Sequence, residues 1–507
     1  MKQMKLTITG VLVLLGMFMQ SCTKDFTDIN TNPNETPIAT ASSLMAPALV
    51  NTLTANMLRN RNFNNELMQV TVDISDADGK VFRYDFRATW ADYSYNAWYT
   101  ELTNFKDMEK VARDPKNLNR SYVGIALICQ SWIYSLLTDT YGDIPYFRSN
   151  LARDSGVFEP PFDAQKDIYM DIFKKLDTAN TYLKTGTGIN SNNDPVFNGD
   201  VTKWRRFGNS LYLRLLMRIS GKAEVSDEVI AKFKDIVVTK KADYPLMTTP
   251  EESAVLRWTG SGPLVSPFIS VREQDFRAPG IGAFFIGNLV TWNDPRIDVP
   301  TWGNNSVNRW RIAAYQGGFS GVPSGYVSGQ APAKQSYFYS QTTTTLFNLQ
   351  TDAMTGIMMN SGEVNFILGE AVVKGWIAGD AEAYYKSGIE QSIQLWLPKW
   401  IGQVDDYIDK ADIHWDEAAP EDEKMERLHL QKYYCLFMTD MQQWFEYRRT
   451  GHPVIPKGAG LRNNGVMPAR MTYPVYVQST NPTNYKLAVA RQGADVISTE
   501  VWWQKKP

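Results

Sequence analysis

Six stretches in the first half of the chain place apolar residues at three- and four-residue spacing, and this rhythm constrains the fold more than any other feature. They run Leu44–Leu58, Trp90–Val111, Ser121–Thr138, Asp163–Leu183, Thr202–Ile219 and Asp227–Val238. Each predicts a helix with one apolar face, and such helices bury that face by packing on one another. The rhythm stops between Leu246 and Gln350, where the chain turns Gly-, Pro-, Ser- and Trp-rich (SGPLVSPF, WNDPRIDVPTWGNNSVNRW, QGGFSGVPSGYVSGQAPAK). A helix-poor stretch of that length predicts functional loops and short strands carried by a helical scaffold. Helices return at Asn360.

The returning helices carry a degenerate repeat of the tetratricopeptide type. With Gly369 set on the Leu-Gly pair of that repeat, Leu368, Ala381, Tyr385 and Gly388 fall on its Leu, Ala, aromatic and small positions. Asn365 stands where Trp is usual and Val372 where Tyr is. Small residues at these places let two helices approach closely, and Pro398 helps end the second. At a prior of about 150 residues per domain, 507 residues suffice for two or three domains or for one continuous helical array.

The amino terminus has a different logic. Lys2 and Lys5 precede a mostly apolar segment, Leu6 to Met19, and no acidic residue appears before Asp25. That layout predicts a secretory signal. The segment is too short to cross a bilayer comfortably, which takes about 20 residues. Met19, Gln20, Ser21 and Cys22 resemble the cleavage box of a bacterial lipoprotein, which would make Cys22 the acylated first residue of the mature chain. Met19 and Gln20 depart from the usual box, and an ordinary cleaved signal is the alternative. Several acyl chains anchor a protein stably where one does not. Residues 22–43, rich in Asn, Thr and Pro, then read as a tether. The two other cysteines, Cys129 and Cys435, lie in apolar helical runs and predict buried thiols, with a disulfide between them also allowed.

Charge excludes one class of partner. Lys plus Arg (52) nearly balances Asp plus Glu (54) with no basic stripe, so nucleic acid is not expected. The acidic run Glu421–Glu426 reads as a solvated helix start. Catalytic motifs fail one by one: three scattered histidines make no zinc-protease pair, PGIGAFFIG lacks a third glycine at Phe285, and GGFSGV breaks a nucleophile elbow at Val322. Paired carboxylates for a glycosidase cannot be read from spacing alone. Asp76, Asp78 and Gly79 with Asp85 resemble part of a calcium loop, although Ile74 occupies its first position; a polar turn is the plainer alternative.

Trp98, Leu102 and Phe105 share helical spacing and belong to a core. Arg83 and Tyr84, and Trp302, Trp310 and Tyr337 in the loop-rich part, have no such period and are candidates for an exposed platform on which a sugar or peptide could stack.

Several segments in order resemble the SusD/RagB family of outer-membrane nutrient-binding lipoproteins, particularly its second, SusD-like branch. These are CTKDFTDINTNPN after the signal, LLTDTYGDIPYF (Leu136–Phe147), FDAQKDIYMDIFKKLDTA, FNGDVTKWRRFGNSLYLRLLMRIS, EVNFILGEAVVKGWIAGDAEAYYKSGIEQSIQLW, MQQWFEYRRTGHPVI and the closing TEVWWQKKP. The resemblance implies a mainly α fold of tetratricopeptide-like helix pairs with a loop-rich ligand-binding part. The implied layout is a signal peptide (1–21), a lipid-anchored tether (22–43) and a body (44–507). Within the body, helical scaffold at 44–245 and 360–450 flanks an insertion at 246–350, and 451–507 closes the chain. It further implies a surface-exposed, non-enzymatic lipoprotein that binds an oligosaccharide or peptide as the lid of a SusC-like TonB-dependent barrel. No cofactor is implied beyond the calcium loop above. A surface glycoside hydrolase is the competing class. Within the GDIP turn, Gly142 and Pro145 let the chain leave a helix, and Asp139 and Asp143 are expected to accept backbone hydrogen bonds.

Overall fold

Each periodic stretch forms a helix within a few residues of its expected limits. The computed structural model describes residues 39–303, 307–339 and 349–505, so the expectations for the signal segment and for Cys22 lie outside the described residues. In the body, Ala41–Pro507, the longer helices of the first half are α1 (Ala41–Arg59), α2 (Trp90–Ala112), α3 (Arg120–Tyr141), α4 (Gln165–Lys184), α5 (Val201–Ile219) and α6 (Ser226–Lys234). Polar caps start two of them. Asn119 accepts from the amides of Ser121 and Tyr122, and Asp200 from those of Thr202 and Lys203, which satisfies donors that no helix can pair internally.

Consecutive helices α1 to α5 pack pairwise, and α3 is buried along nearly its whole length. Among the described residues α3 alone is long and apolar enough to cross a membrane, yet it is the central core helix. Trp98, Leu102 and Phe105 on α2 are fully buried, as their spacing requires. Cys129 and Cys435 are buried free thiols, and burial pushes both upward in pKa.

The longest helix among the described residues of the loop-rich part, α7 (Ala283–Thr291), is one that periodicity did not reveal. Its sequence AFFIGNLVT is short and apolar on more than one side, so it offers no polar face to set a period. Two small antiparallel pairings tie this part to the scaffold. β1 (Thr71–Val72) pairs with β3 (Gly280–Ile281), Thr71 opposite Ile281, and β2 (Ala254–Leu256) pairs with β4 (Gly356–Met359). The glycine after β3 is required by proximity. A Cβ on Gly282 would lie 1.9 Å from the carbonyl oxygen of Gln69.

The second helical block comprises α8 (Ser361–Val373), α9 (Ala381–Trp396), α10 (Val404–Ala411), α11 (Glu421–Cys435) and α12 (Gln442–Thr450), and α13 (Pro482–Gln492) lies near the end of the chain. The repeat counted around Gly369 is the α8–α9 pair. A Cβ on Gly388 would come within 2.7 Å of the Phe366 ring, while Tyr385 is buried between helices. Glu421 does open α11, with its acidic first turn exposed.

Four of the segments that carry the family resemblance, those holding Asp143, Gln165, Arg448 and Trp503, converge on one buried junction. Asp143 accepts the amide of Gln165 at 2.9 Å, as expected of the GDIP turn, and pairs with Arg491. Asp139 differs from expectation. It accepts side chains, Tyr169 Oη at 2.6 Å and Trp503 Nε1 at 2.9 Å, because α4 and the closing segment cover it. Arg448 donates to the Asp139 carbonyl at 2.7 Å and also binds Gln504. Trp204 and Trp444 are likewise buried.

Candidate functional site

The residues proposed as a platform are not brought together. Trp310 is 0% exposed and sits among Phe285, Trp396 and Phe437, with the Arg296 guanidinium 4.9 Å from its ring; it is core and cannot offer a face to a ligand. Trp302 is half-buried against the same core. Tyr84 is buried in the left-handed conformation (φ +58°), and burial pushes its hydroxyl upward in pKa. Arg83 is a buried clip that donates to the Tyr326 carbonyl at 3.0 Å, lies 4.5 Å from the Tyr326 ring and pairs with Asp76. Tyr337 is half-buried under Lys334, whose Nζ lies 3.8 Å from the ring and also donates to the Arg277 carbonyl.

The calcium-loop expectation is corrected by the same contacts. Asp76 is held by the Arg83 guanidinium and by the amide of Gly329 at 2.7 Å, Asp73 is held by Lys80 at 2.6 Å, and Phe82 stacks on Tyr326. Side-chain cations thus hold Asp73 and Asp76, and among the described residues Asp76, Asp78 and Asp85 do not form a close group of metal-type ligands. Among the described residues the group of close metal-type ligands is Glu370, His429 and Glu446. It already contains its own cations: Arg449 bridges both oxygens of Glu370 at 2.7 Å and reaches Glu446 at 2.8 Å, and Lys432 holds Glu446 at 2.6 Å. Those cations hold both carboxyls well below the usual range against the opposing effect of burial. The protein's own side-chain cations thus occupy the cluster, with His429 Nε2 3.4 Å from Glu370.

A cavity of about 580 Å³ lies where scaffold and loop-rich part meet. α1 ends in a π-helical turn, Asn60–Asn64, within a run of two arginines and four asparagines between Arg59 and Asn65. Asn60 and Asn64 turn inward, to the Asp440 carbonyl and the Gln443 side chain at 2.7 Å each, and Arg61 and Asn62 line the cavity. Arg87, Thr89 and Trp90 come from the start of α2, Asp73, Asp78 and Lys80 from the turn after β1, and Asp275, Ala278 and Pro279 from the chain before β3. The β1–β3 pairing therefore holds opposite walls in register.

An aromatic edge borders the cavity. The Arg59 guanidinium lies 4.7 Å from the ring centroids of both Trp90 and Tyr93, and Tyr93 is 38% exposed. That one guanidinium stiffens both rings. Burial lowers the pKa of Arg59 and of Arg61, the latter partly restored by Glu66 and Asp275. Glu66 behaves oppositely. Burial, reinforced by the nearby Asp73 charge, pushes its carboxyl up to about 8, although Lys80, Arg61 and the amide of Phe82 oppose this. Burial would raise Asp73 too, but hydrogen bonds from Lys80 and Ser75 bring it below its ordinary value.

Residues 33–474 match the second SusD-like family, described as starch-binding and associating with the outer membrane. The chain belongs to the SusD-like family. Its members are non-catalytic binding proteins. A comparison with curated proteins finds no match. Solved SusD homologues share the fold throughout: one from Bacteroides fragilis is 22% identical, covering 93% of this chain and 100% of that one with a TM-score of 0.74. One from Bacteroides uniformis is 23% identical, covering 92% and 99%, at 0.75. A chitin-binding SusD homologue from Flavobacterium johnsoniae is 18% identical, covering 92% and 99%, at 0.75.

This SusD-like chain has a second cleft, of about 500 Å³, walled mainly by Val290, Ile297, Val299, Pro300 and Phe319. Asn293, Asp294 and Asp298 also line it, but neither a tryptophan nor an arginine does. Sequence reasoning placed Trp90 only as a helix start and passed over Arg61, Asn62 and Arg87. The dense Arg/Asn run at the end of α1 was the available signal.

Proposed function

We propose that this SusD-like protein is a cell-surface lipoprotein, anchored through Cys22, that binds an oligosaccharide in the cavity beside Trp90 and serves as lid of a SusC-like TonB-dependent outer-membrane barrel. The observation that carries the binding role is the cavity itself. An aromatic edge, Trp90 with Tyr93, stands beside Asn62, Arg61 and Arg87, and this combination of ring faces with planar donors suits sugar rings and their hydroxyls. Chitin binding by the Flavobacterium johnsoniae homologue supports a glycan over a peptide. The family's association with the outer membrane supports the location, and the lid role follows from the family resemblance. No covalent step is needed: capture and delivery require only that binding favour a closed arrangement.

Calorimetric titration of the purified full-length protein with starch-derived, chitin-derived and acidic hexasaccharides tests the site. Trp90→Ala is expected to weaken the best-bound hexamer at least about tenfold, or about 1.4 kcal/mol. Unchanged affinity in that variant, with its fold intact by circular dichroism, would move the site elsewhere.

A further inference from the structure

Three cations (Arg61, Lys80 and Arg87) and four acids (Glu66, Asp73, Asp78 and Asp275) line this cavity, and the way they pair specifies a ligand class. Among the described residues, neither Arg61 nor Arg87 has a carboxylate within ion-pair distance. Arg61 donates to the backbone carbonyl of Asp275 and lies 5.4 Å from the Phe276 ring, and Arg87 is exposed on the opposite wall. Behind them Arg59, wedged between Trp90 and Tyr93, also lacks a carboxylate, and its Nε is buried without a partner.

Most acids that could neutralise these groups are already engaged. Asp73 belongs to Lys80 at 2.6 Å, and Asp275 to Arg272 at 2.6 Å. Glu66, another acid of the wall, is kept protonated around neutral pH by its burial. Glu66 aside, Asp78 is left as the one acid of the lining that has no cation within ion-pair distance among the described residues, against two guanidiniums without a carboxylate. A guanidinium presents a planar fork of donors that matches a carboxylate or a sulfate, and such a pair gains strength in a partly desolvated wall.

We infer that the cavity takes an acidic oligosaccharide, one carrying a uronate or sulfate group, with Arg61 and Arg87 closing on the anion while Trp90 covers a sugar face. This rests on the cavity being the glycan site proposed above. A neutral glycan would leave both guanidiniums without an ionic partner, and an acidic one supplies it.

The test is titration of the full-length protein with three hexasaccharides: neutral chitohexaose, an oligogalacturonide bearing only carboxylates, and a sulfated carrageenan fragment. At least one acidic hexamer is expected to bind ten times more tightly than chitohexaose and to weaken as salt rises. Comparing the two acidic arms identifies the anion. Arg61→Gln and Arg87→Gln should each cost the acidic hexamer about tenfold and chitohexaose less than twofold, whereas Trp90→Ala should weaken both. Arg87 is exposed, so its variant reports on binding even if Arg61→Gln perturbs the fold. Chitohexaose binding as tightly as the acidic hexamers would overturn the inference, as would intact acidic affinity in both arginine variants. If Trp90→Ala still weakened binding in those cases, the glycan cavity would stand without its anionic preference. Indifference of every hexamer to Trp90→Ala, or no binding at all, would overturn both.

Discussion

Glu66 shows how a single buried side chain links the site to stability. Its carboxyl titrates near 8 in the folded protein against an ordinary value of 4.5. Below pH 4.5 it is protonated whether the chain is folded or not. Between 4.5 and 8 the folded state keeps a proton that the unfolded state releases, so stability falls as pH rises through this window, by at most about 1.4 kcal/mol per pH unit. Above 8 both states are ionised and the loss is complete. Glu66→Gln, which cannot ionise, should flatten this slope: in urea unfolding at pH 5 and pH 8, the variant should lose less stability than the parent. Parallel pH profiles for the two proteins would show that Glu66 ionises without penalty. Residues of this kind escape sequence reasoning, because Glu66 looks like any helix-end acid until the turn after β1 folds over it. Trp310 is the converse. Its loop context suggested exposure, but lack of periodicity describes the backbone and not the side chain, and an irregular segment can still deliver an indole into the core.

At the scale of elements, what a periodic pattern encodes was legible and what a pairing partner decides was not. Helices α1 to α6 and the α8–α9 pair follow from spacing, caps and small residues, all of which are local. The cavity depends instead on β1 meeting β3 across about two hundred residues of chain, and strands of two residues leave no pattern to find. Gly282 is the point at which that meeting is most exacting. Its amide donates to the Val70 carbonyl at 3.0 Å, and its Cα faces the Gln69 carbonyl so closely that a methyl group would overlap backbone, which cannot rotate aside as a side chain can. Gly282→Ala should therefore push β3 off β1, costing about 1–3 kcal/mol as overpacking does, and should displace the chain that carries Asp275 and Pro279 along the cavity wall. Both a lowered unfolding midpoint and weakened hexasaccharide binding are expected. A stable variant with parental affinity would mean that the strand pairing does not shape the site.

For the whole molecule, the family segments proved readable as identity and as a binding role but not as a binding site, because those holding Asp143, Gln165, Arg448 and Trp503 build the junction that holds the chain together. A stack of helical repeats alone would let its last unit fray independently, since each repeat touches only its neighbours. This chain closes differently. Trp503, near the end, donates to Asp139 on α3 at 2.9 Å, its amide meets Gln165 on α4 at 3.3 Å, and Arg448 on α12 lies 4.7 Å from its ring. The terminus thus covers an acid whose carboxyl burial raises in pKa, and removing the indole would leave a cavity and expose one lone pair of Asp139 without its donor. Trp503→Ala should cost about 3–5 kcal/mol, the usual range for deleting a buried indole. Because the lost contacts span the first and last parts of the sequence, the loss should lower the unfolding midpoint of the entire body. Urea titrations followed by far-ultraviolet circular dichroism, which reports all the helices, and by amide exchange in α3 and α4 should shift together. If α3 and α4 kept their parental protection while only the last residues became labile, the closing segment would be an appendage and the body would melt as an ordinary repeat array.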